Sequence, residues 1–330
     1  MKQTWIPHRI APPRLVAVVV THNRLNQIQI TLSRLLETAP DLLAHVVVFD
    51  NASSDGTQAW LGTQTDPRVD VLRSEDNIGG AGGFEAGMRY VTERYDPDWI
   101  VVMDDDARPN VGALEAFLDQ DRSAADAWGG AVFQPDGGIC QMNRPFVNPF
   151  WNIAVLRRVL LGAGREGFLL GAEEYKSKTP LQVDGASFVG FFVSRECVAR
   201  VGFPDGDLFI YGDDVIYSLN LRIRGGEILF DPTLHFEHDC TTIVDADHRF
   251  NPLWKSYFQY RNRLMSYRLR VGPWFYLVGP LVAFKGLLKV RFHTGQRWAF
   301  LRLMTRALRD GFLGRKDVSL ATVQRWSGEE

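Results

Sequence analysis

Short apolar, β-branched runs alternate with stretches of helical spacing over the first hundred residues. Leu15–Val20 (LVAVVV) is apolar at every position, the pattern of a strand buried on both faces. A polar loop, Thr21–Arg24 (THNR), separates it from a helical stretch running from about Asn26 to Glu37. His45–Phe49 and Val69–Leu72 read as two further strands. Ile78–Gly83 is a glycine-rich loop opening a helix that reaches about Tyr95, and Trp99–Met103 (WIVVM) is a fourth strand that runs into three acids. Apolar strands separated by helices predict a parallel sheet covered on both faces. Ligands of such sheets gather outside the carboxyl ends of the strands. The loops Thr21–Arg24, Asp50–Gly56, Asp76–Gly83 and Asp104–Asp106 all follow strands, so one rim is expected to carry them.

The pattern then becomes mixed. Ala131–Phe133 is strand-like, a Pro-, Gly- and Asn-rich stretch extends to Asn152, and Ser187–Val193 is a further apolar run. A helix near Val215–Ile223 and a short strand, Glu227–Phe230, follow. Beyond Asn251 the spacing turns helical, with aromatic and basic residues interleaved. Trp274–Val290 is the most apolar stretch, but Pro280 and Lys285 interrupt it, which argues against a membrane-spanning helix. The expected division is an α/β region over 1–250 and a basic, aromatic-rich helical region over 251–330.

Composition changes this picture in one respect. Apolar residues make up 45% and charged residues 23% of 330 residues, ordinary for a globular chain with a sizeable core. The formal charge of −2 hides a split. Residues 1–250 carry 22 Lys and Arg against 35 acids, whereas 251–316 carry 14 against a single acid, Asp310. Two regions with opposite electrostatic tasks are implied. Cys140, Cys197 and Cys240 are far apart, which argues against a disulfide framework or zinc knuckle and fits a reducing compartment. The N-terminal MKQTWIPHRIAPPR has no apolar core of a secretion signal. The basic segment contains no recognisable nucleic-acid module, so no nucleic acid is expected as a partner.

The candidate chemistry begins at Asp104-Asp105-Asp106. In an extended segment Asp104 and Asp106 face the same side, where their repulsion invites a cation, and Mg²⁺ and Mn²⁺ prefer oxygen ligands. An isolated acid triplet would more simply be a solvated turn capping the helix after Pro109. Its place directly after a buried strand favours the metal site. Asp50 and Asn51 open a loop (DNASSDGT) whose side chains suit base or ribose recognition, although Asn, Ser, Asp and Gly also suit a tight turn. The run Asn77-Ile78-Gly79-Gly80-Ala81-Gly82-Gly83 permits close backbone approach and opens a helix N-terminus favourable to anions. It is not a dinucleotide fingerprint, since it follows the third strand and the G-x-G-x-x-G spacing fails at Glu85. Asp213 and Asp214 begin a helix, and either could deprotonate a hydroxyl nucleophile, with helix capping explaining one acid better than two. His235 and His238 (LHFEHDC) follow another strand, and the nearby acids favour one of them as a metal ligand.

In this order these pieces resemble family 2 of the inverting glycosyltransferases, which have the GT-A fold, a mostly parallel, Rossmann-like mixed α/β sheet flanked by helices. The resemblance rests on VVVTHNR, VVFDNASSDGT, NIGGAGGFEAGM, VVMDDDA, LFIYGDDVIYSLNLRIRGG and HFEHDC, over roughly residues 14–240. The GGAGGF form, with YFQYRNRLM at Tyr257–Met265, looks most like bacterial galactofuranosyltransferases and rhamnosyltransferases of cell-envelope glycan synthesis. The resemblance implies that Thr21, Asn23, Arg24, Asp50, Asn51, Asn77 and Asp105 line the donor nucleoside side, and that Gly79, Gly80, Gly82 and Gly83 border the donor sugar and its phosphates. Asp104 and Asp106 would hold Mn²⁺ or Mg²⁺ against the donor diphosphate, with His238 as a further ligand. Asp214 would be the catalytic base and Asp213 its neighbour.

The resemblance further implies a UDP- or dTDP-sugar donor, UDP-galactofuranose favoured over dTDP-L-rhamnose, and a glycan or lipid-linked acceptor. Two departures stand out. Ser187-Phe188 replaces the Trp pair of related galactofuranosyltransferases, and Gly212-Asp213 replaces a Glu-containing form, leaving the base open between Asp213 and Asp214. The basic, aromatic 251–316 segment suits attachment to an anionic membrane surface, ahead of the alternative of a face packed on the acidic region or a second copy. The expected location is cytoplasmic, peripheral at the inner membrane, with oligomeric state left open. Two rivals fit less well. A nucleotidyltransferase would be expected to carry a glycine-rich basic loop where THNR stands, and a noncatalytic sugar-nucleotide binder has no need of Asp213-Asp214.

Overall fold

Strand β1 (Leu15–Thr21) is buried along its whole length in a computed structural model of the chain, which describes residues 14–239 and 249–328. The N-terminal stretch read for a signal lies almost wholly outside the described residues, as does Cys240. After β1 come α1 (Leu25–Leu36), β2 (Leu43–Asn51), α2 (Thr57–Leu61), β3 (Val69–Ser74), α3 (Gly79–Tyr95) and β4 (Trp99–Asp104). The pairings β1–β2, β1–β4 and β2–β3 are all parallel. Residues of β1 alternate between two cores. Val16, Val18 and Val20 pack with Phe84, Met88 and Val91 of α3, while Leu15, Ala17 and Val19 pack with Ile28, Leu32 and Leu35 of α1. That two-sided burial is why the strand shows no polar alternation.

β5 (Ala107–Pro109), α4 (Ala113–Leu118) and β6 (Ala127–Phe133) follow, then short helices α5 (Ile153–Arg158) and α6 (Ala172–Tyr175). β7 (Leu181–Val183), β8 (Phe191–Ser194), α7 (Arg195–Val201), α8 (Asp213–Ile223) and β9 (Ile228–His238) complete the sheet. Its order is β3-β2-β1-β4-β8-β6-β9-β5, with β7 also on β9. β5, β7 and β8 run against the rest, so the sheet is mixed and mostly parallel. The parallel sheet expected from the first hundred residues therefore holds for β1–β4 and gives way beyond them.

β6 begins at Ala127 rather than at the expected Ala131, and two further elements differ from the expectation. The apolar run Ser187–Val193 becomes a strand only from Phe191. The short strand at Glu227–Phe230 is β9, eleven residues long, so His235 and His238 lie on it rather than after it. Pro232 accounts for the difference. Proline normally interrupts a ladder, and β9 accommodates it at a register shift, Gly130 pairing Asp231 and Ala131 pairing His235.

The C-terminal region forms α9 (Lys255–Val271), α10 (Phe275–Leu287), α11 (Arg297–Leu313) and α12 (Leu320–Ser327). Tyr257, Phe258, Tyr260, Phe300, Leu303 and Met304 make their own core. Asp310, the one acid of the basic segment, is fully buried and accepts from Tyr257 Oη at 2.8 Å. Among the described residues one helical stretch, Lys255–Phe292, is long and apolar enough to cross a membrane, despite Pro280 and Lys285. Only 28% of its most apolar window is buried, which sets it apart from the helix of a soluble core.

Candidate active site

The carboxyl ends of β1, β2 and β4 lie side by side, with Thr21 opposite Asp50 and Val20 opposite Asp104. This register brings the first two loops and the acid triplet to one rim. Asp104 ends β4, and Asp105 and Asp106 form the turn into β5. The triplet does not cap α4, whose N-cap is Gly112. Thr21 Oγ1 donates to Asp105 Oδ2 at 2.7 Å, and Thr31 Oγ1 of α1 donates to the Asp105 carbonyl at 2.6 Å. Burial pushes the Asp105 carboxyl up to about 7 despite the Arg24 guanidinium 3.6 Å away. Arg24 also pairs with Asp106.

On the side toward β3, Asp50 is fully buried, paired with Arg73 and accepting from Ser53 N at 3.0 Å. Asn51 Oδ1 accepts from Ile78 N at 2.9 Å, and Asn51 Nδ2 donates to Asn77 Oδ1 at 3.0 Å. Asn77 Oδ1 in turn accepts from Gly79 N at 2.9 Å. His22 ties these loops together. Its Nδ1 is 2.6 Å from the Asn51 carbonyl, and its Nε2 is 3.2 Å from both Asn23 Nδ2 and Asn77 Nδ2. The carbonyl fixes the proton on Nδ1 and leaves Nε2 to accept. Turn chemistry accounts for the rest of the DNASSDGT loop: Asp55 accepts from Leu25 N and Thr57 N, both at 3.1 Å. Sequence reasoning missed His22 and Arg73 as site residues. His22 stood in the THNR motif itself, whereas no local pattern marks Arg73.

The glycine run is the first turn of α3 rather than a separate loop. Gly79 has φ +77°, and a Cβ there would stand 2.0 Å from the Phe209 carbonyl oxygen. At Gly83 a Cβ would meet Val20 Cγ1 at 2.6 Å, and at Gly82 it would meet Ile78 at 2.9 Å. Close approach at these three positions is to the protein itself. Gly80 faces open space.

Asp104, Asp106 and His238 form a cluster whose ligand atoms lie within 4.8 Å of one another. His238 Nε2 is 3.1 Å from Asp106 Oδ1, and Nδ1 is 2.7 Å from Asn143 Oδ1. Cys140 Sγ donates to the same amide oxygen at 2.8 Å, and Asn143 Nδ2 donates to Ser187 Oγ at 2.9 Å. With Nδ1–H donating to Asn143, the Nε2 lone pair points at an acceptor-only carboxylate. Two acceptors that close call for a proton or a cation between them. Two carboxylates and an oriented imidazole suit a divalent metal such as Mn²⁺, so the residues fit the expected ion. Burial raises Asp106, but His238 and Arg24 outweigh it and hold the carboxyl below its usual range.

Asp213 and Asp214 form the first turn of α8 behind Gly212 (φ +79°). Burial, then the Asp214 charge, pushes Asp213 up to about 7. Burial also raises Asp214 to about 6, against backbone N–H donors and the Arg270 charge. Asp214 Oδ1 accepts from Val215 N at 2.7 Å within the first turn, while the N-cap position itself is Gly212 and carries no side-chain cap. The pair and the triplet are electrostatically joined. Asp104 is driven well above the usual carboxylate range by burial first, then by Asp106, Asp105 and Asp213. Phe188, at the departure from the Trp pair, is 3% exposed and packs edge-on to Phe84 at 5.1 Å, so it presents no open face.

Residues 16–159 match Glycosyl transferase family 2. Over 173 residues the chain is 30% identical to undecaprenyl-phosphate mannosyltransferase of Micrococcus luteus, spanning 52% of this chain and 70% of that protein. It is 29% identical over 318 residues to galactofuranosyltransferase GlfT1 of Mycolicibacterium smegmatis, spanning 87% and 97% of the two. Among solved structures it resembles mannosyltransferase PcManGT from Pyrobaculum calidifontis in complex with GDP-Man and Mn²⁺, with TM-score 0.51 and 19% identity, covering 98% and 87% of the chains. It also resembles GalNAc-T7 with UDP, GalNAc and Mn²⁺, with TM-score 0.51 and 15% identity; 92% of this chain spans 58% of that one. At these identities the likeness is one of fold, the GT-A arrangement expected above.

Proposed function

The chain belongs to glycosyl transferase family 2 and is a sugar transferase, and from that premise we propose a metal-dependent, inverting transfer of galactofuranose from UDP-galactofuranose to an acceptor hydroxyl in cell-envelope glycan synthesis. One observation carries the mechanism: Asp104, Asp106 and His238 meet on one rim, with Asp213 close enough to raise Asp104. The match to GlfT1 over nearly its whole length supports the sugar. Transfer of rhamnose from dTDP-L-rhamnose is the alternative.

In this reading Thr21, Asn23, Arg24, Asp50, Asn51, Asn77 and Asp105 line the nucleoside and phosphate side of the donor. Gly80 borders the donor most directly, since it has open space before it, and Gly79, Gly82 and Gly83 set the backbone around it. Asp104, Asp106 and His238 would hold Mn²⁺ or Mg²⁺, whose charge would stabilise the departing diphosphate. Asp214 takes the proton of the acceptor hydroxyl. The freed oxygen forms its bond to the anomeric carbon as the bond from that carbon to the diphosphate oxygen breaks on the opposite face. A single displacement of this kind inverts the anomeric centre. Burial holds both carboxyls of the pair near neutral pH, Asp213 at about 7 and Asp214 at about 6.

The division into a catalytic 1–250 and a helical 251–330 region belongs to the same proposal, as does peripheral attachment at the cytoplasmic face of the inner membrane. A panel of UDP- and dTDP-sugars, galactofuranose and rhamnose donors included, tests the function by nucleotide release with and without Mn²⁺. Release from UDP-galactofuranose that EDTA abolishes is the expected result. Faster release from dTDP-rhamnose selects the alternative, and the absence of metal-dependent release from any donor rejects the mechanism.

A further inference from the structure

Asn262 on α9 is 1% exposed, and its single amide nitrogen reaches three backbone carbonyls: Leu208 at 2.9 Å, Ile210 at 3.0 Å and Tyr211 at 2.8 Å. Beside it Arg261 is fully buried. Arg261 Nη2 donates to the carbonyls of Asp207 at 3.0 Å and Leu208 at 2.9 Å, and Nε donates to Asn262 Oδ1 at 2.8 Å. From the opposite side Ala81 N, in the first turn of α3, donates to the Phe209 carbonyl at 3.1 Å. Every carbonyl from Asp207 to Tyr211 therefore has a donor from outside the loop. A surface loop would leave most of these groups to water.

The loop needs this restraint. Phe209 and Tyr211 have φ of +66° and +69°, a region that side-chain-bearing residues rarely adopt. Such conformations persist only where the surroundings over-determine them, and they cluster at functional sites. The loop leads directly into Gly212, Asp213 and Asp214. Its Phe209 carbonyl also lies so close to Gly79 that no Cβ fits between them. One strained segment thus touches both the acid pair and the start of the glycine helix, and its conformation is dictated from α9. Arg261 also serves the C-terminal bundle, lying over the Tyr257 and Phe258 rings and donating from Nη1 to the Lys316 carbonyl at 3.4 Å. The Asn262 amide nitrogen, by contrast, bonds to carbonyls of the loop that carries the acids, and Arg261 Nη2 joins it there.

We propose that Arg261 and Asn262 are positioning residues for sugar transfer, holding the Asp207–Gly212 loop in the one conformation that sets Asp213 and Asp214 against the donor side of the rim. The proposal rests on the reading of Asp214 as the base, and its test separates the two. Asn262→Asp keeps the side-chain shape and removes the amide donor; Asn262→Ser replaces it should the first variant not fold. Hydrogen–deuterium exchange is expected to rise over residues 207–215 while β1–β4 stay protected, a measurement that needs no substrate. Turnover per folded molecule, read as nucleotide release from UDP-galactofuranose, is expected to fall roughly tenfold to a hundredfold, the scale of a misplaced catalytic group. Donor KM is expected to hold within about twofold, because the lost interaction acts on the chemical step.

Combined with Asp214→Asn, the Asn262 substitution is expected to add little, since one residue acts through the other. Unchanged exchange over 207–215, wild-type turnover per folded molecule, or losses that multiply in the double variant would each overturn the proposal. Near-normal turnover of Asp214→Asn alone would instead remove the base assignment. The exchange and turnover arms at Asn262 would then still decide whether α9 positions the loop.

Discussion

His238 Nε2 stands 3.1 Å from Asp106 Oδ1 while Asn143, 95 residues away in sequence, holds the opposite ring nitrogen at 2.7 Å. The amide oxygen selects the tautomer, and the tautomer turns a lone pair toward the carboxylates. Asn143 in turn bonds to Ser187, so two side chains in series aim the ring. This is the outer support that metal-ligating histidines require, and its removal has a measurable consequence.

Asn143→Ala leaves all three candidate ligands in place and frees the imidazole to turn. Loss of such support costs about 10–100-fold in metal affinity. A Mn²⁺ titration of the donor-free protein should show that loss, and Asp106→Ala should abolish metal-dependent donor binding. Wild-type Mn²⁺ affinity in Asn143→Ala would mean that His238 is not a ligand.

Asp214→Asn keeps size and polarity but removes the proton acceptor, so turnover should fall by about 10²–10⁴ while the donor still binds. Burial sets the pH at which the wild type switches on. With its pKa pushed up to about 6, Asp214 is mostly protonated at pH 5, and turnover should rise roughly tenfold between pH 5 and 7. Stability runs the other way. Carboxyls whose folded pKa lies above the unfolded value favour the folded state most fully at low pH. Their contribution is lost as pH rises from about 4 toward 6 and 7. A pH–rate profile with no acid limb near 6 contradicts the role of the pair.

Legibility followed locality. β1 and β2 could be read from sequence because strands buried on both faces are continuous apolar runs. The rim could be read because parallel strands must bring their carboxyl ends together. β9 was cut short because Pro232 looks like a terminator, and only its partner β6 supplies the register shift that absorbs it. β5 and β7, three residues each, carry no periodicity at all. Within the site, Asp104, Asp106, Asp213 and Asp214 are marked by residue type and place, while only the family resemblance chooses His238 over His235. Asn143, Arg73 and Asn262 are not marked, because their importance lies in what they hold from far along the chain. The glycines show the opposite case. Their pattern was visible, but whether each gap faces a ligand or the protein's own carbonyl depends on packing.

Gly80 offers a way to separate these two uses. Nothing lies within 4 Å of a Cβ there, and the residue is in the first turn of α3. Alanine is preferred over glycine in a helix by up to about 1 kcal/mol, so Gly80→Ala should leave the melting temperature unchanged or slightly raised. If the glycine turn borders the donor, its KM should nevertheless rise. Gly79→Ala is the contrasting variant, since its Cβ would collide with the Phe209 carbonyl and its φ is unfavourable. That substitution should lower the melting temperature. A Gly80→Ala enzyme with wild-type KM would place the donor away from this turn.

The exposed face of α10 makes the membrane proposal testable. Trp274, Leu277, Leu281, Phe284 and Leu288 recur at alternating spacings of three and four and are each 48–66% exposed. They form one stripe along the helix, and Lys285, Lys289, Arg291 and Arg297 lie on the same stretch with no acid among them. Apolar side chains flanked by cations suit the boundary of an anionic bilayer, where each basic residue near the surface adds about 1 kcal/mol. Leu277→Glu with Leu281→Glu removes two apolar contacts and adds two negative charges. The apolar loss alone, about 3 kcal/mol, corresponds to a ~100-fold weaker partition. In flotation with vesicles containing phosphatidylglycerol, the wild type should rise with the lipid and the double variant should stay in the soluble fraction. Added salt should weaken the wild-type association, because part of it is electrostatic. A wild-type protein that stays below the vesicles, or a variant that floats equally well, would assign the stripe to something other than a membrane.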